Sequence, residues 1–423
     1  MTGEITLTAT LHRPMFQVLP TPQQAYCLLE AMPTATTGAG SGMSSQPVNF
    51  CLVLDRSGSM AGEKIRNMKE AAKLIVDRLG SQDILSVIIF DDTADIIVPS
   101  GSVQDRLMLK SRIDSIDERG GTHMSTGMTK GLQELQRGLA PDRVSRMLLL
   151  TDGQTWEDQS QCEALADQCR VAGIPLNVFG LGVGAEGSWD PRFLENLAQR
   201  SGGEWTVIDT PEKVGAVFAS TLQSMQGTAV TNASLTMRMV EGVSPRTVWR
   251  VNPLISKLGH QAISIHDIQM FLGDIQHGVG QSLLADMLLP TRQAGIYRLI
   301  QADITYDVPA TGLTGQRVAV DVVISYTEDA TQANQTNPRL MNIIERVVAH
   351  KLQTQALDEA AMGDVSKATQ RLRAAATRLL ELGETEMAQQ ATQQALQIEQ
   401  VGQVDPAAAQ KMRYQTKKLT ENQ

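Results

Sequence analysis

The chain has 423 residues, a length that allows about three domains and an ample core. Its 37 Lys+Arg against 46 Asp+Glu give a formal charge of −9, which provides no electrostatic footprint for phosphate backbones or acidic membranes and argues against nucleic acid. Four cysteines in so long a chain are too few for a disulfide framework; Cys162 and Cys169, seven apart on one expected helix, are about 10 Å apart along its axis and read as packing residues.

The opening "MTGEITLTATLHRP" lacks a basic segment followed by an apolar one, and no apolar run approaches the roughly 18 residues of a membrane span. A cytoplasmic chain without membrane insertion is expected. Next, "EITLTATL" and "AYCLLEAMP" alternate apolar and polar residues as strands do. They are too little to stand alone, because an isolated hairpin is marginal in water. "TATTGAGSGMSSQ" at 34–46 has linker composition.

From 48 to 226 strand and helix alternate. "NFCLVLD", "DILSVIIFD", "RMLLLTD" and "PLNVFGLG" are nearly continuous apolar runs, as in parallel strands covered on both faces. Between them "GEKIRNMKEAAKLIVDRLG", "HMSTGMTKGLQELQRGL" and "QCEALADQCRVAG" carry apolar residues at helical spacing. "DPRFLENLAQRSGG" adds a helix capped by Asp190, with Pro191 in its first turn and glycine at its end. The expectation is a doubly wound, Rossmann-like α/β domain.

After it, "ASLTMRMVEG", "YRLIQADITYDV" and "RVAVDVVISYTED" alternate again. Pairing them with the strands of 1–47 makes one discontinuous antiparallel β-sandwich: 1–47 and 227–336, with the α/β domain of 48–226 inserted. From 337 to 423 the strands stop. Ala368, Leu372, Ala375, Leu379 and Leu382 share one helical stripe, and Ala388, Ala391, Ala395 and Ile398 another, which predicts a hairpin or small bundle turning at Gly383. The Ala- and Gln-rich face could also serve as a dock.

Chemistry concentrates where strands end. In "VLDRSGSM" the first apolar run stops at Asp55, and an extended loop turns residues i, i+2 and i+4 to one side, so Asp55, Ser57 and Ser59 offer oxygens to one point. Asp152 follows "RMLLLT", and Gly120-Gly121-Thr122 precedes a helix. In doubly wound sheets ligands bind at the carboxyl ends of the strands on either side of the reversal in strand order, so the acids should face one crevice. Two carboxylates with three hydroxyls are hard oxygen donors. They favour Mg²⁺, with Mn²⁺ or Ca²⁺ as alternatives, over Zn²⁺.

These segments, with "GGTHMSTGM" and "LLLTDG", resemble a von Willebrand factor A domain bearing a metal-ion-dependent adhesion site. The likeness covers about 48–226. It implies that Asp55, Ser57, Ser59, Thr122 and Asp152 surround a divalent cation whose coordination is completed by an Asp or Glu carboxylate of a protein partner, and that the module is not an enzyme. The flanking "MFLGDIQHGVGQSLLADMLLP" and the helical tail also resemble bacterial von Willebrand A proteins with a β domain, in the manner of calcium-activated chloride channel homologues, though no membrane segment supports a channel. Arg56, His123 and Trp156, near the expected cation, are candidates for a partner-binding rim. An alternative is an accessory subunit of an AAA+ ATPase complex, MoxR-type or chelatase-like; no Walker A sequence is present, so another chain would supply the ATPase.

Rival motifs are weaker. "GVGAEG" from Gly182 matches G-x-G-x-x-G but follows a late strand instead of opening a βαβ unit. Six scattered histidines form no ligand pair, Ser57 and Ser59 have no nucleophile elbow, and Asp91 and Asp92 read as turn caps.

Overall fold

A computed structural model describes residues 4–34, 46–153, 155, 157–182, 190–401 and 406–420. Most of the expected linker, Trp156 and the glycine motif beyond Gly182 lie outside the described residues.

The apolar runs of the α/β region become a six-stranded sheet. Val48–Asp55 lies at its centre between Ile84–Phe90 and Val144–Thr151, all parallel, followed outward on one side by Leu176–Leu181 and Trp205–Ile208. All eight residues of Val48–Asp55 are buried because helices cover both faces. On one face Leu52, Leu54 and Leu150 pack with Met68, Ile75 and Phe218; on the other Cys51, Val53 and Met147 pack with Met128, Leu132 and Leu165. Asp190 caps Pro191–Ser201 as expected, its Oδ1 accepting from the Arg192 amide at 2.9 Å, and Gly202 ends the helix at φ 79°.

Two strands of this sheet escaped the sequence reading, Trp205–Ile208 at one edge and Ala94–Ser102 at the other. Ala94–Ser102 pairs antiparallel with Ile84–Phe90 and closes the sheet's edge. Its "ADIIVPSGS" contains a proline, tolerated on an edge strand where no ladder donor is lost.

The alternating segments form two sheets, antiparallel except where the short edge strand Met15–Gln17 runs parallel to Leu313–Thr327. Gln23–Pro33 pairs on one side with Ile5–Leu11 and on the other with Gln281–Leu289, so strands that precede the α/β region share a sheet with strands that follow it. The second sheet is built on Thr228–Met239, Asp267–Gln276, Gly295–Val308 and Leu313–Thr327. Cys27, Leu29 and Ala31 point into the core between the sheets, with Leu235, Met270 and Ile304. Leu28 and Leu284 point the other way, into a core shared with the C-terminal helices. The first sheet is therefore covered on both faces, whereas the alternating pattern had suggested burial of one face only.

The helices are Pro338–Ala361, Val365–Glu381, Thr385–Val401 and Pro406–Lys417. Every member of the two expected stripes is buried except Leu382, which is partly exposed, and the turn between the middle helices is at Gly383, φ 80°. The last helix returns to the other regions: the Ile255 amide donates to the Lys417 carbonyl at 2.8 Å, and Lys417 pairs with Glu195 of the α/β domain. Among the described residues, no helix is long and apolar enough to cross a membrane.

Candidate metal centre at the carboxyl edge of the parallel sheet

The first strand, Val48–Asp55, has neighbours on both sides that are reached by crossovers in opposite directions, so the sheet's strand order reverses between it and Val144–Thr151. That reversal opens a crevice at their carboxyl ends. Asp55 is the last residue of one strand and Asp152 the first beyond the other.

Backbone bonds tie the loop after Val48–Asp55 to the end of Ile84–Phe90 and to the loop of Gly120. The Arg56 amide donates to the Phe90 carbonyl at 2.9 Å, Arg119 N to Arg56 O at 2.8 Å, and Gly58 N to Gly120 O at 3.1 Å. The loop carrying Thr122 is fastened from below: His123 N donates to Asp91 O at 2.7 Å and Gly121 N to Asp92 Oδ2 at 3.0 Å. Asp91 does cap a turn, accepting from Thr93 N at 2.7 Å.

Asp55 and Asp152 are 0% and 1% exposed, and Ser57 is buried beside them. Ser59 is exposed and Thr122 partly so, which leaves the cluster open upward. Ser57 Oγ and Ser59 Oγ are 3.0 Å apart, and Ser59 Oγ donates to Asp152 Oδ1 at 2.6 Å. Asp55 accepts from the Ser57 amide at 2.8 Å and from Thr151 Oγ1 at 2.6 Å. Thr122 approaches through Gly153: a Cβ at Gly153 would be 3.1 Å from Thr122 Oγ1 and 3.9 Å from Asp55 Oδ2. All five expected donors thus belong to one neighbourhood.

The electrostatics are unusual for a buried pair of acids. Asp55 has no ion pair among the described residues. Burial pushes its carboxyl up to about 6, hydrogen bonds from Ser57 and Thr151 oppose the rise, and the nearby Asp152 charge adds to it. Asp152 has one cation, the ammonium of Lys64, which also donates to the Ser59 carbonyl at 3.1 Å. Lys64 was missed in the sequence, where it read only as part of an amphipathic helix. Its position in the first turn of Glu63–Arg78, directly after the serine loop, was the available signal.

The rim candidates fare differently. His123 is partly exposed in the turn that opens Met124–Arg137. Arg56 is 7% exposed and its guanidinium is committed inward, to Asp91 at 2.7 Å and Asp95 at 2.6 Å. Burial alone would raise the Asp91 carboxyl, yet hydrogen bonds from Arg119 and Thr93 and the Arg56 charge outweigh it and hold the group down at about 2. Trp156 lies outside the described residues.

No cluster of three or more Asp, Glu, His or Cys side chains suited to a metal occurs among the described residues. A cation at this edge would therefore rest on two carboxylates supplemented by hydroxyls. The donor set fits that role: every donor is a hard oxygen, the buried acids are short of positive charge, and the exposed serine leaves a side open.

The family model for the von Willebrand factor type A domain matches residues 49–219. This region is a von Willebrand factor type A domain. Such domains are generally protein-interaction modules. A second model, the Sll0103-like, C-terminal alpha-helical domain, matches 338–422. The protein sll0103 of Synechocystis sp. is 33% identical over 273 residues, which cover 63% of each chain. Human inter-alpha-trypsin inhibitor heavy chain H4 is 32% identical over 174 residues, 39% of this chain and 18% of that protein. The matches thus span less than two thirds of these relatives. Among solved structures, a von Willebrand factor type A protein from Catenulispora acidiphila superposes with a TM-score of 0.79 at 17% identity, covering 98% of this chain and 97% of that one, a likeness of fold.

Proposed function

We propose that the carboxyl edge of the von Willebrand A domain holds a divalent cation, Mg²⁺ in the first place, and uses it to capture an acidic side chain of a protein partner, without catalysing a reaction. Asp55, Ser57, Ser59, Thr122 and Asp152 would hold the ion, some of them through water, and His123 would meet the partner at the rim. Arg56 has a different part in this reading: it fixes the loop from below. The single observation that carries the proposal is Asp55, a fully buried carboxylate with hydrogen bonds but, among the described residues, no cation of its own. With Lys64 beside Asp152, two carboxylates facing a divalent ion leave one positive charge in excess, and a partner's Asp or Glu is the simplest neutraliser.

The test is affinity capture from native lysate by wild type, Asp55→Ala and Asp152→Ala, with and without chelator. Capture that is lost on substitution and on chelation, while circular dichroism of the variants is unchanged, supports the reading. Equal capture in all arms would refute it. Service to an AAA+ ATPase drew on the tail as a dock, but the apolar stripes of Val365–Glu381 and Thr385–Val401 are spent on the core with Leu28, Val251 and Leu284, which removes that motive.

A further inference from the structure

Far from the carboxyl edge, a cavity of about 530 Å³ opens where the von Willebrand A domain, the sandwich and the last helix meet. Its size falls within the roughly 300–1,000 Å³ of small-molecule sites, and such sites favour domain seams. None of the five proposed metal donors lines it.

Its charge is opposite to that of the chain as a whole. Five cations face it, but Arg200 is paired with Asp167 at 2.8 Å and Lys417 with Glu195. Arg170, Arg250 and Lys257 are left with only Glu204 as a lining acid, and none of the three has an ion pair among the described residues. Arg250 is the most telling. It donates from Nη2 to the Leu272 carbonyl at 2.9 Å, while its Nε is buried and has no hydrogen-bond partner. The side chain is only partly withdrawn from water, and Glu204 acts on it by charge without forming an ion pair, so an anion entering the cavity would supply the close partner that it lacks among the described residues. Beside these cations stand Pro253, Leu254, Leu258 and Phe271, an apolar wall that a bare inorganic ion would leave uncovered.

We propose that this seam cavity binds a small organic anion, a molecule that joins a phosphate or carboxylate head to an apolar body. The head would sit on Arg250 with Lys257 at the mouth, and the body against Phe271 and its apolar neighbours. A ligand here touches all three regions of the chain and ties them together, independently of any metal at the carboxyl edge.

The test is titration calorimetry of the full chain in EDTA with three probes: phenyl phosphate, 3-phenylpropanoate and inorganic phosphate. Binding of one or both aromatic anions at least tenfold tighter than inorganic phosphate is expected, and which of them wins identifies the head group. Lys257→Glu, an exposed charge reversal, should weaken that binding at least tenfold. Arg250→Met should abolish it, and Asp55→Ala should leave it unchanged. If Arg250→Met fails to fold, Lys257→Glu decides. Aromatic anions that bind no better than inorganic phosphate, or that bind Lys257→Glu as tightly as wild type, would overturn the proposal.

Discussion

Two aspartates with buried side chains, Asp274 and Asp55, are treated differently by the fold. At the seam between the von Willebrand A domain and the sandwich, Asp274 meets Arg146; both side chains are nearly inaccessible, and the acid's rise on burial is countered by the guanidinium's charge and hydrogen bond. At the carboxyl edge, Asp55 is buried as deeply but, among the described residues, meets neutral donors from Ser57 and Thr151 and no cation. Asp274 has its cation built in, and the pair is nearly inaccessible. Asp55 has none among the described residues, and its surroundings are open to solvent through Ser59. Burial without a partner charge, more than burial itself, separates a place built to receive something from one built to hold the fold together.

The sharpest way to break this contrast is to make the seam resemble the edge. Arg146→Ala leaves Asp274 buried and unpaired and should destabilise the protein by about 3–5 kcal/mol in urea denaturation, whereas Arg146→Met with Asp274→Leu should recover most of that loss. Conversely, magnesium at a hundred times its dissociation constant should stabilise wild type by about 2.7 kcal/mol in thermal melts. Asp55→Asn should remove that increment without lowering stability in EDTA, since no native ion pair is broken.

A third kind of buried titratable group sharpens the comparison. Burial pushes His350 down to about 3, assisted by the charges of Lys417 and Arg413, and it meets Thr416 Oγ1 at 3.0 Å; burial likewise takes His12 down to about 4. Both are neutral in the folded chain at pH 7. Because the folded value lies below the unfolded one of 6.5, their stabilisation is complete above pH 6.5 and is lost as pH falls towards 4. The slope per histidine approaches about 1.4 kcal/mol per pH unit. In a series of melts between pH 7 and 4.5, His350→Gln should flatten that slope by roughly half, leaving the share of His12. The smallest effect belongs to an acid at the surface: Asp190→Ala, which removes an N-cap, should cost about 1 kcal/mol of stability and leave magnesium binding unchanged.

Much of this was legible in the sequence. Unbroken apolar runs can be satisfied only by a sheet covered on both sides, and a carboxylate at the last position of such a run has only the sheet's edge to face. The helical stripes at Ala368–Leu379 and Ala388–Ile398 were equally plain, because a period of 3.6 leaves one direction for the core. What stayed hidden depends on contacts between segments distant in the chain. Nothing near Arg56 announces that Asp91 and Asp95 turn it inward, nor do the local residues show that Lys64 reaches Asp152 across 88 positions. The seam cavity belongs to the same class: Arg170, Arg250 and Lys257 come from separate elements, and only the fold assembles them.

The central claim, that the uncompensated Asp55 marks a divalent-cation site, is met most directly by crystals grown in MnCl₂ and measured for anomalous scattering. The account expects one strong peak at the carboxyl edge, within about 2.1 Å of the Ser57 and Ser59 hydroxyls and absent from Asp55→Ala crystals. Strong anomalous density elsewhere with none at this edge, or a peak that survives the substitution, would contradict it.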